Sequence, residues 1–247
     1  MELQRIITIN SNALIICSHG SSAIAHRKNL EDLTEYINKN IKSIKCYYCF
    51  LEKSEPSIDN CISSVIKKFD KIFFFPLFLF KGRHFKSDIT NRLKKFSNIK
   101  KIRLIKKLSL QEDFLPIVVK NMKKKIKKNQ KNILITLSSM SKENCVIKEL
   151  EEYTKKLASE LNIKDYHFDF ITNSKGLVEK IHNISNSNIF FLIHPVIYFD
   201  GFLQKNIMKF FKTIKKEKVF ISSPLINIRE LKIYLVKKLK ANLKIFD

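Results

Sequence analysis

The sequence predicts an α/β protein made of two tandem repeats, each a roughly four-stranded parallel sheet with helices on both faces. Short runs of β-branched and aromatic residues alternate with segments whose apolar residues recur at helical spacing. Strands that alternate with helices imply right-handed crossovers, and hence parallel strands covered on both sides. In the first repeat we predict strands at residues 13–17, 44–51, 71–78 and 101–105, and helices at residues 28–40, 57–69 and 89–96.

The second half of the chain shows the same order of elements. Its patterns predict strands at residues 132–137, 166–171, 189–193 and 219–222, and helices at residues 148–161, at residues 176–184 and from residue 228 onward.

The duplication is also visible in single residues. Segment 14–18 (LIICS) matches segment 134–138 (LITLS) at an offset of 120, and segment 76–82 (PLFLFKG) matches segment 195–201 (PVIYFDG) at an offset of 119. Because the chain has only four glycines, the coincidence of Gly82 with Gly201 favours a tandem duplication. Both are expected in turns that need a positive φ or a close backbone approach. We predict one domain at residues 1–126 and a second at 127–247.

The composition of the chain bears on whether the protein spans a membrane, is secreted or binds polyanions. No apolar run reaches the roughly 18 residues of a membrane-spanning helix, and no secretory signal is recognisable at the N-terminus, so we expect a cytoplasmic protein. The net charge of +24 would attract polyanions such as nucleic acid, anionic lipid or a polycarboxylate small molecule. Lysine is spread along the whole chain, which is typical of general solvation, and no nucleic-acid-binding signature is present.

The five cysteines are an odd number scattered through apolar segments, so we expect reduced, buried thiols rather than a disulfide framework. Cys46 and Cys49 form a CxxC pattern, but they lie in a predicted strand. Residues three apart on a strand point to opposite faces, so the pair is poorly placed to bind zinc or to form a redox centre.

Three polar residues of the first half follow predicted strands: His19 after the first, Glu52 after the second and His84 after the third. Ligands of open parallel sheets bind outside the carboxyl ends of the strands, so these side chains are expected to converge on one cleft. Two neutral imidazoles suit a borderline divalent ion such as Fe²⁺, Co²⁺, Ni²⁺ or Zn²⁺. With few protein ligands, the ion would keep the open positions that metal exchange requires.

The second repeat serves as an internal comparison. His19 aligns with Ser139, Glu52 with Ile171 and His84 with Leu203, so the polar set is confined to the first repeat. This favours a joint function, although a single histidine after a strand is often an ordinary surface residue.

Other polar and aromatic residues near these strands have simpler interpretations. A capping or surface role for Glu55 is as plausible as a catalytic one, and Ser87 and Asp88 are expected to cap the helix at 89–96. Phe78 and Phe80 belong to the core or to a pocket floor. The remaining histidines are assigned structural or surface roles: His26, His167, His182 and His194.

Taken together, the motifs resemble the sirohydrochlorin chelatases, which insert Co²⁺ or Fe²⁺ into sirohydrochlorin for cobalamin or siroheme. The resemblance rests on segments 18–21 (SHGS), 50–57 (FLEKSEPS) and 76–89 (PLFLFKGRHFKSDI), and it covers the whole chain. It implies two chelatase-like, flavodoxin-like domains, with the active site in the first and a degenerate copy in the second. One departure is Ser22, since the family often has arginine after the HGS motif.

The resemblance implies that His19 and His84 hold the incoming metal, that one of them removes pyrrole protons, and that Glu52 assists. It implies substrate contacts from Ser18, Gly20, Ser21, Phe80, Gly82 and Arg83, and the nearest basic candidates for substrate carboxylates are Arg27, Lys53, Lys81 and Arg83.

The resemblance also sets expectations about cofactors, partners and the metal. We expect no tightly bound cofactor, no nucleic-acid or membrane partner, and a monomer or homodimer, with Fe²⁺ slightly favoured over Co²⁺. The alternatives are a basic nucleic-acid-binding module and a metal carrier without turnover.

Overall fold

The computed structural model describes residues 12–80, 82, 87–96, 99–171, 179, 181, 188–213, 215 and 218–244. Its first half forms a parallel sheet of four strands in the order β2-β1-β3-β4. The strands are β1 (Asn12–Ser18), β2 (Lys45–Phe50), β3 (Lys71–Pro76) and β4 (Ile102–Leu104), and the helices along them are α1 (Ile24–Asn40), α2 (Ile58–Val65) and α3 (Ile89–Leu93).

The second half repeats this arrangement in a second parallel sheet, with the order β6-β5-β7-β8. Its strands are β5 (Lys131–Ser138), β6 (Asp165–Phe170), β7 (Ile189–Pro195) and β8 (Val219–Ile221). Helix α4 (Leu115–Lys123) follows the first sheet, and the helices of the second half are α5 (Asn144–Glu160), α6 (Phe202–Phe210) and α7 (Arg229–Lys244). The predicted fold class is therefore confirmed. The predicted helix at 176–184 falls almost entirely outside the described residues. None of the described helices is long and apolar enough to cross a lipid bilayer.

Strand register confirms the duplication and corrects one alignment. Cys17 pairs with Pro76 in the first sheet as Leu137 pairs with Pro195 in the second. Ser18 pairs with Phe50 as Ser138 pairs with Phe170, so the offset between β2 and β6 is 120. Ile171 is thus the counterpart of Leu51, not of Glu52, and both are buried. The counterpart of Glu52 is residue 172, which lies outside the described residues.

The two repeats share one interior. Leu14 and Ile16 of β1 belong to a cluster of buried side chains that also contains Leu134 and Leu192 of the second sheet. The helix that follows each sheet packs on the first helix of the other repeat, α4 on α5 and α7 on α1. The predicted boundary between residues 126 and 127 stays a prediction, but the repeats exchange their last helices across it.

The cysteines follow the prediction with one exception. Cys46 belongs to the cluster between the sheets and Cys49 to the cluster on the outer face of the first sheet, so the pair does point in opposite directions. Burial raises the pKa of the Cys46 thiol. Cys145, however, is exposed at the start of α5, so the expectation that all five thiols are buried is wrong for this residue.

Candidate active site at the cleft between the repeats

Parallel pairing of β1 and β2 continues past the strand ends and brings His19 beside Glu52. The amide of Leu51 donates to the carbonyl of Ser18 at 2.8 Å, and the amide of Glu52 donates to the carbonyl of His19 at 3.0 Å. Nδ1 of His19 then lies 3.4 Å from Oε1 of Glu52. This distance is long for a hydrogen bond, and both side chains are about 40% exposed, at 43% and 38%. The pair is therefore free to tighten when a ligand fills the cleft.

Gly20 makes this arrangement possible. Its φ is +97°, in the region that favours glycine. A Cβ atom at this position would lie 1.8 Å from the carbonyl oxygen of Glu52. The glycine of the HGS segment is therefore required both by its own conformation and by the close approach of the Glu52 backbone.

Lys53 is the second unusual backbone position at the site. Its φ is +61°, which is strained for a residue with a long side chain. Its Nζ atom lies 3.5 Å from the same Glu52 oxygen that faces His19, and the residue lines the cleft. The carboxylate of Glu52 is thus placed between an imidazole and an ammonium group.

His26, which sequence analysis set aside, also belongs to this site. Its Nε2 atom lies 2.7 Å from the Ser18 hydroxyl, and its ring lies 4.6 Å from the ring of Phe199 in the second repeat. Burial, together with the nearby charge of His19, lowers the pKa of His26 to about 4, so this imidazole is neutral at cellular pH. At the offset of 120 its counterpart is Val146, and the same internal comparison that singled out His19 would have found it.

A cavity of about 860 Å³ lies between the repeats and opens at these residues. The predicted substrate-binding residues of the described part of the chain all line it: Ser18, Gly20, Ser21, Phe80 and Gly82, together with His19. Glu52 adjoins it through His19. Arg83 and His84 lie outside the described residues, so their predicted roles stay predictions.

The second repeat supplies the opposite wall, to which it contributes both polar and apolar side chains. Ser139 and Leu203, the counterparts of His19 and His84, line the same cavity. Apolar side chains around them complete the wall: Val146, Val196, Ile197, Phe199 and Phe202. One cavity therefore combines His19 and His26 of the first repeat with apolar side chains of the second.

The two matching glycines lie where the repeats touch. A Cβ on Gly82 would lie 3.3 Å from Oε1 of Glu143, the residue before α5, and a Cβ on Gly201 would lie 3.5 Å from Cβ of Ala23, the residue before α1. Neither glycine has the positive φ of a left-handed turn. Of the two predicted reasons for these glycines, close approach applies to Gly82, whereas the 3.5 Å contact of Gly201 is an ordinary one and neither reason applies there.

The nearby polar residues Ser87, Asp88 and Glu55 have two different roles: some line the cleft, and one caps a helix. The capping prediction is wrong for Asp88, which precedes α3 but makes no side-chain bond to it, and Ser87 donates instead to the Asp88 carboxylate at 3.1 Å. Both line the cavity. Glu55 does act at a helix start, since its carboxylate accepts from the amide of Ser57 at 2.6 Å and from Asn60 at 3.0 Å.

The charges that line the cavity have mixed signs. Among the described residues, Lys53 and Lys142 are its basic groups, and its acidic groups are Asp88, Glu143 and Asp200. Arg27 is turned away, towards the carbonyl of Glu55 and the carboxylate of Glu31. Within the described part of the chain, no three His, Cys, Asp or Glu side chains converge as a metal-binding group.

Comparison with known proteins shows what the first repeat is similar to. Residues 13–125 match the family model described as CbiX. A sirohydrochlorin cobaltochelatase of Sulfolobus acidocaldarius is 28% identical over 106 residues, which cover 42% of this chain and 85% of that protein.

Two solved structures share the whole fold. SirB from Bacillus subtilis with Fe³⁺ superposes with a TM-score of 0.76 at 20% identity, covering 93% of this chain and 94% of SirB. The sirohydrochlorin chelatase SirB of Bacillus subtilis subspecies spizizenii, in complex with cobalt, gives a TM-score of 0.73 at 18% identity, with the same coverage of 93% and 94%. The predicted resemblance to the sirohydrochlorin chelatases is thereby confirmed: residues 13–125, most of the first repeat, match the CbiX family model, and the two repeats together have the SirB fold.

Proposed function

We propose that this protein is a sirohydrochlorin chelatase that inserts a divalent metal ion, Fe²⁺ or Co²⁺, into the macrocycle. The observation that carries the proposal is the single cleft between the repeats, with the His19–Glu52 pair on one wall and apolar side chains on the other. A flat tetrapyrrole has a large apolar face and a polar centre. The cleft offers a complementary surface to each.

His19 is suited to receive the metal ion. A carboxylate beside Nδ1 favours the tautomer that carries its proton there, which leaves the Nε2 lone pair for the metal. With His84 as the second nitrogen ligand, as the resemblance implies, the ion keeps several exchangeable positions. A loosely held ion can pass to the four nitrogen atoms of the macrocycle.

Insertion also requires a proton acceptor, because the two pyrrole N–H protons must leave before the ion is bound by four nitrogens. Glu52 is a suitable acceptor because its carboxylate lies beside His19 at the edge of the cleft. A neutral imidazole is a second suitable base at cellular pH. The neutral ring of His26 contacts the Ser18 hydroxyl and packs on Phe199, and so joins the two repeats at the cleft.

An absorption assay tests the proposal. Purified protein is incubated with sirohydrochlorin and Fe²⁺ or Co²⁺ without oxygen, and the spectral change of the macrocycle is followed. We expect His19→Ala and His84→Ala to lower the rate at least about 100-fold, a typical loss for a group that acts on protons or on metal. His167→Ala, which changes an exposed histidine of β6 outside the cleft, is the matched control. A wild-type rate no faster than that of the two cleft variants would refute the proposal.

The same assay separates the remaining alternatives. Tight metal binding without any acceleration of insertion would indicate a carrier rather than an enzyme. Insertion rates measured side by side with Fe²⁺ and with Co²⁺ test the slight preference for iron. This preference predicts a higher kcat/KM with Fe²⁺. The absence of a tightly bound cofactor, the cytoplasmic location and the oligomeric state stay predictions.

A further inference from the structure

The Ser18 hydroxyl has a partner in the first repeat that its counterpart in the second repeat lacks. Ser18 is the last residue of β1, it is buried, and its Oγ atom lies 2.7 Å from Nε2 of His26. Ser138 ends β5 in the same way and is equally buried, but Val146 stands at the position of His26. Within the part of the chain that the structure describes, the Ser138 hydroxyl makes no hydrogen bond, which is costly for a buried polar group. The serine is thus present in both repeats, whereas the histidine that binds it occurs only in the repeat that carries the candidate site.

The bond between Ser18 and His26 closes the loop that carries His19. Ser18 directly precedes His19, and His26 lies in the first turn of α1, so the bond joins the two ends of this loop. Between the two ends, the Ser54 hydroxyl accepts from the amide of Ser21 at 3.3 Å and donates to the carbonyl of Ser21 at 2.8 Å. The loop is therefore fixed in its middle by a residue that follows β2, and at its ends by a single side-chain hydrogen bond.

His26 also packs against the strand that leads to Glu52 and against the second repeat. The centre of its ring lies 6.0 Å from that of Phe50, the last residue of β2, and 4.6 Å from that of Phe199. Phe50 is fully buried beside the end of β1, and Glu52 follows it by two residues. One imidazole therefore lies against three elements that meet at the cleft: the end of β1, the end of β2 and the second repeat.

We propose that His26 is a positioning residue: through the Ser18 hydroxyl it fixes the end of β1, and with it the approach of His19 to Glu52. This approach is sensitive to small movements, because Nδ1 of His19 and Oε1 of Glu52 are 3.4 Å apart and must come closer to share a proton. A misplacement of about 1 Å is enough to lower a rate by about 100-fold. The consequence for metal insertion rests on the proposed function, whereas the positioning of the strand ends does not.

Amide hydrogen exchange, followed by NMR, tests the positioning without turnover. The amides of Leu51 and Glu52 donate to the carbonyls of Ser18 and His19, so their exchange reports how often the two strand ends separate. We expect His26→Val, which introduces the valine of the second repeat, to speed the exchange of both amides at least about tenfold. Amides in the middle of β1 should keep nearly their wild-type rates. A general loss of stability would instead speed the exchange of all amides of the sheet together.

Further variants separate the hydrogen bond from the packing of the ring. Ser18→Ala should speed the exchange of the same two amides, and its combination with His26→Val should add little, because both changes remove one bond. His26→Gln keeps a side-chain hydrogen-bonding group for the Ser18 hydroxyl and should restore most of the protection. The matched control is Ser138→Ala, which removes a hydroxyl without a partner among the described residues and should leave this exchange unchanged. Unchanged exchange in His26→Val, equal acceleration throughout the sheet, or wild-type exchange in Ser18→Ala would each overturn the inference.

Kinetics then test what the positioning contributes to insertion. Because positioning acts on the chemical step, His26→Val should lower kcat at least about tenfold and change KM for the tetrapyrrole less than about twofold. His26→Gln should recover most of kcat. A raised KM with an unchanged kcat would show that His26 binds the tetrapyrrole instead, and would overturn the positioning role. The two proposals can fail separately: faster exchange in His26→Val, in a protein without turnover, would refute the proposed function alone, and turnover with exchange that His26→Val leaves unchanged would refute the positioning alone.

Discussion

A single glycine decides whether the His19–Glu52 pair can form. Replacing Gly20 with alanine would strain a backbone at φ +97° and drive a Cβ atom to 1.8 Å from the Glu52 carbonyl. We expect Gly20→Ala to lower the free energy of unfolding by about 1–3 kcal/mol and to abolish most of the insertion activity. Gly201→Ala is the control, since its Cβ would meet only Ala23 at an ordinary 3.5 Å. Equal losses in the two variants, measured by urea denaturation and by the absorption assay, would contradict this view of Gly20.

His194 makes stability depend on pH. The ring is fully buried, with Tyr153 at 3.1 Å and Ser222 at 2.8 Å, and burial lowers its pKa to about 3 from 6.5. Because the unfolded chain binds a proton that the native ring does not, the stability from neutral His194 is present above pH 6.5. It is lost as the pH falls towards 3, by up to about 1.4 kcal/mol per pH unit.

The variant His194→Phe carries the residue found at the counterpart position, Phe75. We expect it to be less stable at pH 7.5 by about 1–3 kcal/mol, because Tyr153 and Ser222 lose their partner. Its unfolding free energy should nevertheless fall less steeply between pH 6.5 and pH 3. Urea denaturation across this range checks both effects, and a slope equal to that of the wild type would show that His194 is not the titrating group.

At the site, the sequence predicts the residues that the ends of parallel strands bring together. It does not predict positions that depend on contacts between the two repeats. His19 and Glu52 were predictable because parallel pairing brings neighbouring strand ends to one edge. Strand ends do not place His26, because its position depends on the Ser18 hydroxyl and on Phe199, which is 173 residues away in the chain; only the comparison with Val146 of the second repeat would have indicated it. Cys145 was misjudged because the apolar residues Val146 and Ile147 follow it, whereas its own position on α5 faces solvent.

Among the elements, the strands were predicted more closely than the helix starts. The strand centres follow from continuous apolar runs, although β3 ends at Pro76 rather than at residue 78. Helices α1 and α5 each begin four residues before their predicted starts, at 24 rather than 28 and at 144 rather than 148. Ala23 and Glu143 precede them without any side-chain capping bond, so the local sequence carries no signal for these starts.

The segment that follows β3 is held by a buried lysine, Lys107, which lies further along the chain, after β4. Lys107 is buried, donates to the carbonyls of Leu79 at 2.7 Å and Leu108 at 3.3 Å, and lies 3.7 Å from Glu149 of α5. We expect Lys107→Met to lower the free energy of unfolding by about 2–4 kcal/mol, because it removes a buried ammonium group that lies 3.7 Å from Glu149 and donates to the Leu79 carbonyl. Lys106→Met, which changes the exposed neighbour, should stay within about 0.5 kcal/mol of the wild type. Similar losses of unfolding free energy in both variants would show that Lys107 contributes only its positive charge and not its buried contacts.

The whole molecule depends on the exchange of terminal helices between the repeats. Asp113, just before α4, accepts a hydrogen bond from Tyr234 and lies 3.1 Å from Nζ of Lys238, both on α7 of the second repeat. In addition, α4 packs on α5, and α7 packs on α1. A first repeat on its own would keep an α4 without its partner helix and an α1 without its cover.

This dependence predicts how the first repeat behaves when it is expressed alone as residues 1–126. Since α1 and α5 occupy matching positions, two copies could satisfy each other by packing the α4 of each on the α1 of the other. We expect a dimer by light scattering, with helical content that falls on dilution, because burial of the apolar faces of α1 and α4 then depends on association. Leu33 and Ile37, now buried on α1, would lie in that new interface, and replacing both with lysine should abolish the dimer together with the fold. A folded monomer that survives dilution would show that each repeat is self-sufficient and that the helix exchange contributes little to the fold.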